Sequence, residues 1–225
     1  MPAWTYSRLS GYETCAKQFY HTKVLKDVPD PPNAAGEWGD RVHKAFEDRL
    51  LNGAALPEGM TQWTGIVDKF NALPGEKLVE FEFAVDANFQ PTSWKTAWSR
   101  GKADLVVRHK STVLIVDWKS GKKKPTEQLD LYAAYAKAFW PETERIQTSF
   151  VWLPVKQQTK AKIEASQVPI IGRGSCPGCG AWSAPTKMTT GPRVRRAYAS
   201  NIAQLPSAPT TGESNGPKRS KQPGV

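Results

Sequence analysis

An α/β fold is what this 225-residue sequence predicts, and three observations carry it. Apolar residues recur at helical spacing in three stretches of the first 73 residues. Residues 77–86 alternate apolar and polar, and two β-forming runs, Leu105–Val107 and Val113–Val116, flank a short polar turn. A helical pattern from Gln128 to Phe139 and a strand-like run, Gln147–Pro154, follow. Order and spacing together give helices, a strand, a hairpin, a helix and a strand.

The first helical stretch is WTYSRLSGYETCAKQFYHTKVLK, residues 4–26. Ser7 or Ser10 can cap it, and Tyr12, Cys15 and Phe19 share the spacing of a buried face, so Cys15 is expected to be a small buried hydrophobe. Three prolines between Asp27 and Asn33 mark a connector. The second helix spans residues 36–52, with Val42, Phe46 and Leu50 along one side and Gly53 as its stop. His43 and Glu47 lie four apart and share a face. The third runs from Gln62 to Leu73, with Trp63, Ile66, Val67 and Phe70 as its apolar stripe. In KLVEFEFAVD, Val79, Phe81, Phe83 and Val85 are expected on one face of a strand, Glu80 and Glu82 on the other. Ala87–Arg100 reads as a loop.

The hairpin carries the chemistry. Pairing centred on His109–Thr112 sets Asp104 opposite Asp117, and alternation points Asp117 and Lys119 the same way. Two carboxylates and an ammonium are then expected on one face. Paired carboxylates bind a hard cation such as Mg²⁺ through oxygen, and the cation polarises phosphate and acidifies a bound water. A lone Asp-x-Lys arises often by chance; a second Asp on the paired strand narrows it. Lys122, Lys123 and Lys124 form a basic loop beside the site. Thr126 is expected to cap the next helix, on which Gln128 and Tyr132, four apart, lean towards the strand end.

The 39% hydrophobic content and nine tryptophans suffice for a real core. No apolar run reaches the about 18 residues a membrane span needs. The N-terminus lacks the basic start and apolar block of a signal peptide, so a cytoplasmic protein, bacterial or in a phage-infected host, is expected. Three cysteines argue against a disulfide scaffold. Residues 156–225 hold 11 Lys and Arg against 2 Asp and Glu, which places +9 of the +10 net charge there. That basic part fits a polyanion partner, DNA above all.

The motifs YSRLSGYETCAKQFYH, GDRVHKAFE, VEFEF, GKAD, VDWK and QLDLY stand in the order found in the PD-(D/E)xK nuclease superfamily. Over residues 4 to about 154 the chain resembles its RecB-type, CRISPR-associated exonuclease-like branch. The resemblance implies a restriction-endonuclease-like core, a central mixed β-sheet flanked by helices. It implies Asp104 and Asp117 as metal-binding acids, Lys119 as the catalytic lysine, and His43 as a helical histidine joining the metal shell. Glu80 would support the metal through water, and Gln128 and Tyr132 would contact DNA and steady the site. The metal would be Mg²⁺ or, favoured by an imidazole ligand, Mn²⁺.

Relatives of that branch often bind a four-iron, four-sulfur cluster with one N-terminal and three C-terminal cysteines. Here Cys15, Cys176 and Cys179 are available and a fourth is missing, so a cluster or zinc is less expected than a turn with free thiols. Three regions are expected: a nuclease core over 1–155, a basic extension with the CPGC loop over 156–205, and a disordered tail over 206–225. Within the extension, Val194, Tyr198, Ile202 and Leu205 share a helical face. The function expected is a metal-dependent DNA exonuclease of recombination, repair or phage DNA processing, with a protein partner of a recombination or CRISPR-type complex as an option. The alternatives are a catalytically silent nucleic-acid-binding protein of the same fold, marked by DNA binding that persists in EDTA without product, and an accessory protein of a nuclease complex, marked by a protein partner without cleavage.

Overall fold

The computed structural model describes residues 3–30, 33–123 and 127–168. Expectations for Lys124, the Thr126 cap, Cys176, Cys179, the helix at 194–205 and the tail fall outside those residues. The elements are α1 (Tyr6–Thr14), α2 (Ala16–Phe19), a π-helical turn (Tyr20–Leu25), α3 (Ala34–Asn52), α4 (Thr64–Asn71), β1 (Glu76–Val85), β2 (Ser99–His109), β3 (Thr112–Lys119), α5 (Gln128–Phe139), β4 (Arg145–Trp152) and β5 (Gln157–Glu164).

Five strands form one mixed sheet in the order β1-β2-β3-β4-β5. Every neighbouring pair is antiparallel except β3 and β4, which are parallel and joined through α5. A parallel pair needs such a crossover, because a tight turn cannot return the chain in the same direction. The expected α/β architecture, a mixed sheet flanked by helices, is the one observed. β5 carries the sheet to residue 164, past the boundary expected at 155. Its Thr159, Ala161 and Ile163 are half-buried and its Lys160, Lys162 and Glu164 exposed, the pattern of an edge strand blunted by charge.

Each face of the sheet has its own core. On the α5 side Phe83, Val106, Ile115, Tyr132, Tyr135 and Phe150 pack together. On the other side α3 and α4 bring Val42, Phe46, Val67 and Phe70 against Leu105, Val107, Val116 and Trp118. The helix faces are those the 3.6-residue spacing predicts. Gly53 ends α3 at φ 68, a left-handed conformation that glycine takes without a Cβ clash. Gly101 serves contact instead: a Cβ there would lie 2.5 Å from the Tyr135 ring.

The N-terminal segment departs from expectation. Thr5, not Ser7 or Ser10, caps α1, its side chain accepting from the Arg8 N–H. The helix breaks at Cys15, which is extended (φ −157) and whose Sγ accepts from the Gln18 N–H to start α2. Cys15 is therefore exposed rather than buried. Once it serves as a cap it leaves the apolar face that continuous helical spacing gave it.

Candidate active site

The hairpin sets the site. β2 and β3 pair from Leu105↔Val116 to His109↔Thr112, the register the sequence predicts, and the chain turns at Lys110–Ser111 with Lys110 at φ 53. Asp104 and Asp117 lie one step beyond the last pair.

The side-chain alternation of β1 and β2 slips at one level. Leu78 faces α5 and Val79 faces α3 and α4, yet Phe81, Phe83 and Val85 return to the α5 face. Across the ladder, Ala103 faces α5 and Leu105 does not. The slip falls at Glu80 and Asp104, the level bracketed by Val79↔Leu105 and Phe81↔Ala103. Glu80 is left-handed there, at φ 54, a conformation that costs a non-glycine residue roughly 1–2 kcal/mol. The expected single apolar face Val79–Phe81–Phe83–Val85 is thus split after Val79.

Strain of this kind gathers where a side chain must be aimed. Here it aims two carboxylates at α3. Val42 and Phe46, both fully buried, fix that helix on the sheet, and Asn33 caps its start by accepting from the Gly36 N–H. His43, next to Val42, then reaches the strand end. Its Nδ1 lies 2.7 Å from Asp104 Oδ1, while the Trp118 N–H donates to Asp104 Oδ2 at 2.5 Å. His43, Glu80 and Asp104 each offer one ligand atom, and the three atoms lie within 4.8 Å of one another.

The electrostatics of this group are those of a site short of positive charge. Asp104 is 8% exposed. Burial, then the nearby Asp117 charge, pushes its carboxyl up to about 6, although His43 and the Trp118 N–H pull it down. His43 is also raised. Burial works against its charged form, but the Asp104 hydrogen bond and the charges of Asp104, Asp117 and Glu80 outweigh it.

The second half of the site lies against α5. Lys119 Nζ is 2.9 Å from Asp117 Oδ1 and donates to Oδ2 at 3.0 Å and to Gln128 Oε1 at 3.1 Å. Gln128 Nε2 donates to the Tyr132 hydroxyl at 3.0 Å, and that hydroxyl lies 2.9 Å from Asp117 Oδ2. The four side chains close a ring. The Tyr132 hydroxyl is also 2.6 Å from the Lys102 carbonyl; with one proton and two acceptors it donates to one at a time. Burial, then the charges of Asp117 and Asp104, pushes the Tyr132 phenol far above its usual value. The Lys119 ammonium also rests 4.5 Å from the Phe150 ring centre.

The expected site residues are therefore arranged in two groups, not on one face. Asp104 faces α3 with His43; Asp117 and Lys119 face α5. Glu80, expected to act through water, stands with His43 and Asp104, whereas Asp117 is outside that trio. Tyr132, expected to contact DNA, is 2% exposed and its hydroxyl is engaged within the protein; it steadies the ring from inside. Lys122 and Lys123 are exposed near the strand end, Lys123 donating to Gln157 Oε1. Sequence reasoning passed over Lys102, whose Nζ is 2.6 Å from Glu80 Oε2. Its signal was the register, which sets it across from Glu82 and diagonal to Glu80.

The helix-flanked mixed sheet thus has a central strand that ends in Asp117-x-Lys119, beside a cluster of His43, Glu80 and Asp104 close enough to hold one cation. A family model for the PD-(D/E)XK nuclease superfamily matches residues 3–211, and the chain belongs to that superfamily. No curated protein sequence matches the chain. Nine chains of solved structures match. One of them, the crystal structure of SSO0001, is 15% identical and covers 73% of this chain and 68% of that one at a TM-score of 0.35, too loose a likeness to build on. No helix among the described residues is long and apolar enough to cross a membrane.

Proposed function

We propose that this chain is a Mg²⁺- or Mn²⁺-dependent deoxyribonuclease that degrades DNA from its ends. The observation that carries the reading is the trio His43, Glu80 and Asp104 beside the Asp117–Lys119 pair. One imidazole and two carboxylates suit a hard divalent cation with some tolerance for nitrogen, as Mn²⁺ has. Burial and the Asp117 charge work against the Asp104 carboxylate, and a bound cation would offset both. Such an ion, once bound, would polarise the scissile phosphate and lower the pKa of the attacking water.

The chain's own groups do the rest. Lys119 has three N–H donors. Asp117 and Gln128 take two, which leaves one for the attacking water or a non-bridging phosphate oxygen. The ring through Tyr132 holds that donor in place, so it need not be ordered during the reaction. A P–O bond forms to the water oxygen as that water gives up a proton, the P–O bond to the sugar oxygen breaks, and the leaving oxygen takes a proton from solvent water. Lys122, Lys123 and Lys124 and the basic residues after 155 would neutralise backbone phosphates. The end-directed action rests on the RecB-type motif order.

An end-labelled DNA digestion series in MgCl₂, MnCl₂ and EDTA tests the proposal. Nucleotides released progressively from the ends with either metal, and none in EDTA, are expected. Lys119→Ala and Asp117→Ala should each abolish detectable cleavage, and the milder Asp117→Asn should lower the rate by about 10²–10³-fold, all with unchanged circular dichroism. Undiminished cleavage by all three would remove the assignment.

A further inference from the structure

We infer that Lys102 sets how tightly the site holds its metal, and that exchange of its ammonium for the cation frees it to grip the DNA backbone. The inference rests on the trio being the metal site. Residue 102 belongs to both halves of the site. Its carbonyl faces the Tyr132 hydroxyl at 2.6 Å, and its ammonium is 2.6 Å from Glu80 Oε2. The backbone is thus anchored by the ring around Lys119, and only the side chain is free to move.

That side chain is built to move. It is 50% exposed, whereas the Glu80 side chain is 19% exposed. A divalent ion reaching Glu80 meets an ammonium already bonded to the same carboxylate. Two cations at that range repel, and the flexible, half-solvated one yields. Glu80 cannot retreat as easily, because its backbone is set in the left-handed break that aims it. Besides Glu80, the carboxylates that act on Lys102 are Glu82, directly across the ladder, and Glu47 on α3. Once displaced, the ammonium stands beside the cation with three donors, next to where a scissile phosphate would lie. A DNA phosphate is a better partner there than exposed Glu82, since neutralising it also releases a counterion.

This assigns Lys102 two opposite effects, weakening metal binding and strengthening DNA binding. Titration of MnCl₂ into DNA-free wild type and Lys102→Met measures the first. Binding of a fluorescent single-stranded oligonucleotide in MnCl₂, in a Lys119→Ala background that prevents cutting, measures the second. Lys102→Met should bind Mn²⁺ about fivefold more tightly and the oligonucleotide about fivefold more weakly, the upper end for a partly solvated ion pair. Lys102→Arg should keep the DNA affinity. Lys44→Met, a control on the same helix as His43 whose ammonium pairs with Glu47 and Asp48, should move neither value. Unchanged or weaker Mn²⁺ binding by Lys102→Met overturns the exchange. Tighter Mn²⁺ binding with unaltered DNA affinity overturns the grip. A wild type that binds no Mn²⁺ would instead refute the trio as the metal site, and the inference with it.

Discussion

On the α5 side of the strand ends Asp117 is paired within the protein: Lys119 donates to Oδ2 and lies 2.9 Å from Oδ1, and the Tyr132 hydroxyl stands beside Oδ2. On the α3 side two carboxylates share a histidine and a half-exposed lysine. Neighbouring strands supply both groups: Glu80 of β1 and Asp104 of β2 on the α3 side, Asp117 and Lys119 of β3 on the α5 side. The difference separates a half whose charges are paired within the protein from the half that the proposed function gives to a cation. A closed ring keeps its geometry without help. Burial and a neighbouring charge make the Asp104 carboxylate less favourable, and a nearby positive charge would relieve both.

Breaking each half should give different deficits, and the largest effect separates them. Asp104→Asn and His43→Ala should abolish Mn²⁺ binding measured by calorimetry and abolish cleavage with it. Lys119→Ala should abolish cleavage while Mn²⁺ binding persists. Equal loss of metal binding in all three would merge the halves into one.

A smaller effect sharpens the role of the ring. Tyr132→Phe removes one hydroxyl from a buried position; Lys119 keeps Asp117 and Gln128, but Gln128 loses the hydroxyl that holds its amide. We expect kcat to fall about tenfold with metal affinity unchanged, and stability to drop by about 1–3 kcal/mol, since the Lys102 carbonyl loses its partner. A changed KM for DNA with unchanged kcat would return Tyr132 to a strand-contacting role.

Much of this arrangement was legible in the sequence, because it rests on periodicity. Period-two alternation and a polar turn set the hairpin register, so Asp104 and Asp117 fall level and Lys119 follows Asp117. The 3.6-residue spacing of Val42 and Phe46 buried one face of α3 and left His43 at its border. What stayed hidden depends on packing between elements. Nothing in VEFEF marks Glu80 as left-handed, since glutamate has no preference for that conformation. The division of the site between two helices follows from that break. β5, rich in Lys and Gln, has weak strand propensity and is held by the edge of β4. Cys15 changed from core residue to cap because a local hydrogen bond outweighed the helical spacing.

The smallest effect is on stability. The folded value of Asp104, about 6, lies above its ordinary 3.8, so the folded protein binds more protons than the unfolded chain between those values. The stability Asp104 contributes is present below about 3.8 and lost as pH rises through about 6. His43, raised above 6.5, acts with the same sign: its contribution is present below 6.5 and lost above its folded value. Metal-free wild type should therefore lose melting temperature relative to Asp104→Asn as pH rises from about 3.8 through about 6, and MnCl₂ should restore it above that window. Parallel pH profiles for the two proteins would contradict the raised titration of Asp104.

The most direct measurement is a crystal structure grown with MnCl₂ and recorded at the manganese edge. An anomalous peak bonded to His43, Glu80 and Asp104, with the Lys102 ammonium moved off Glu80 and the ring around Lys119 unchanged, is the expected result. Manganese held by other residues, with Glu80 still paired to Lys102, or no manganese at the strand ends at all, would contradict it.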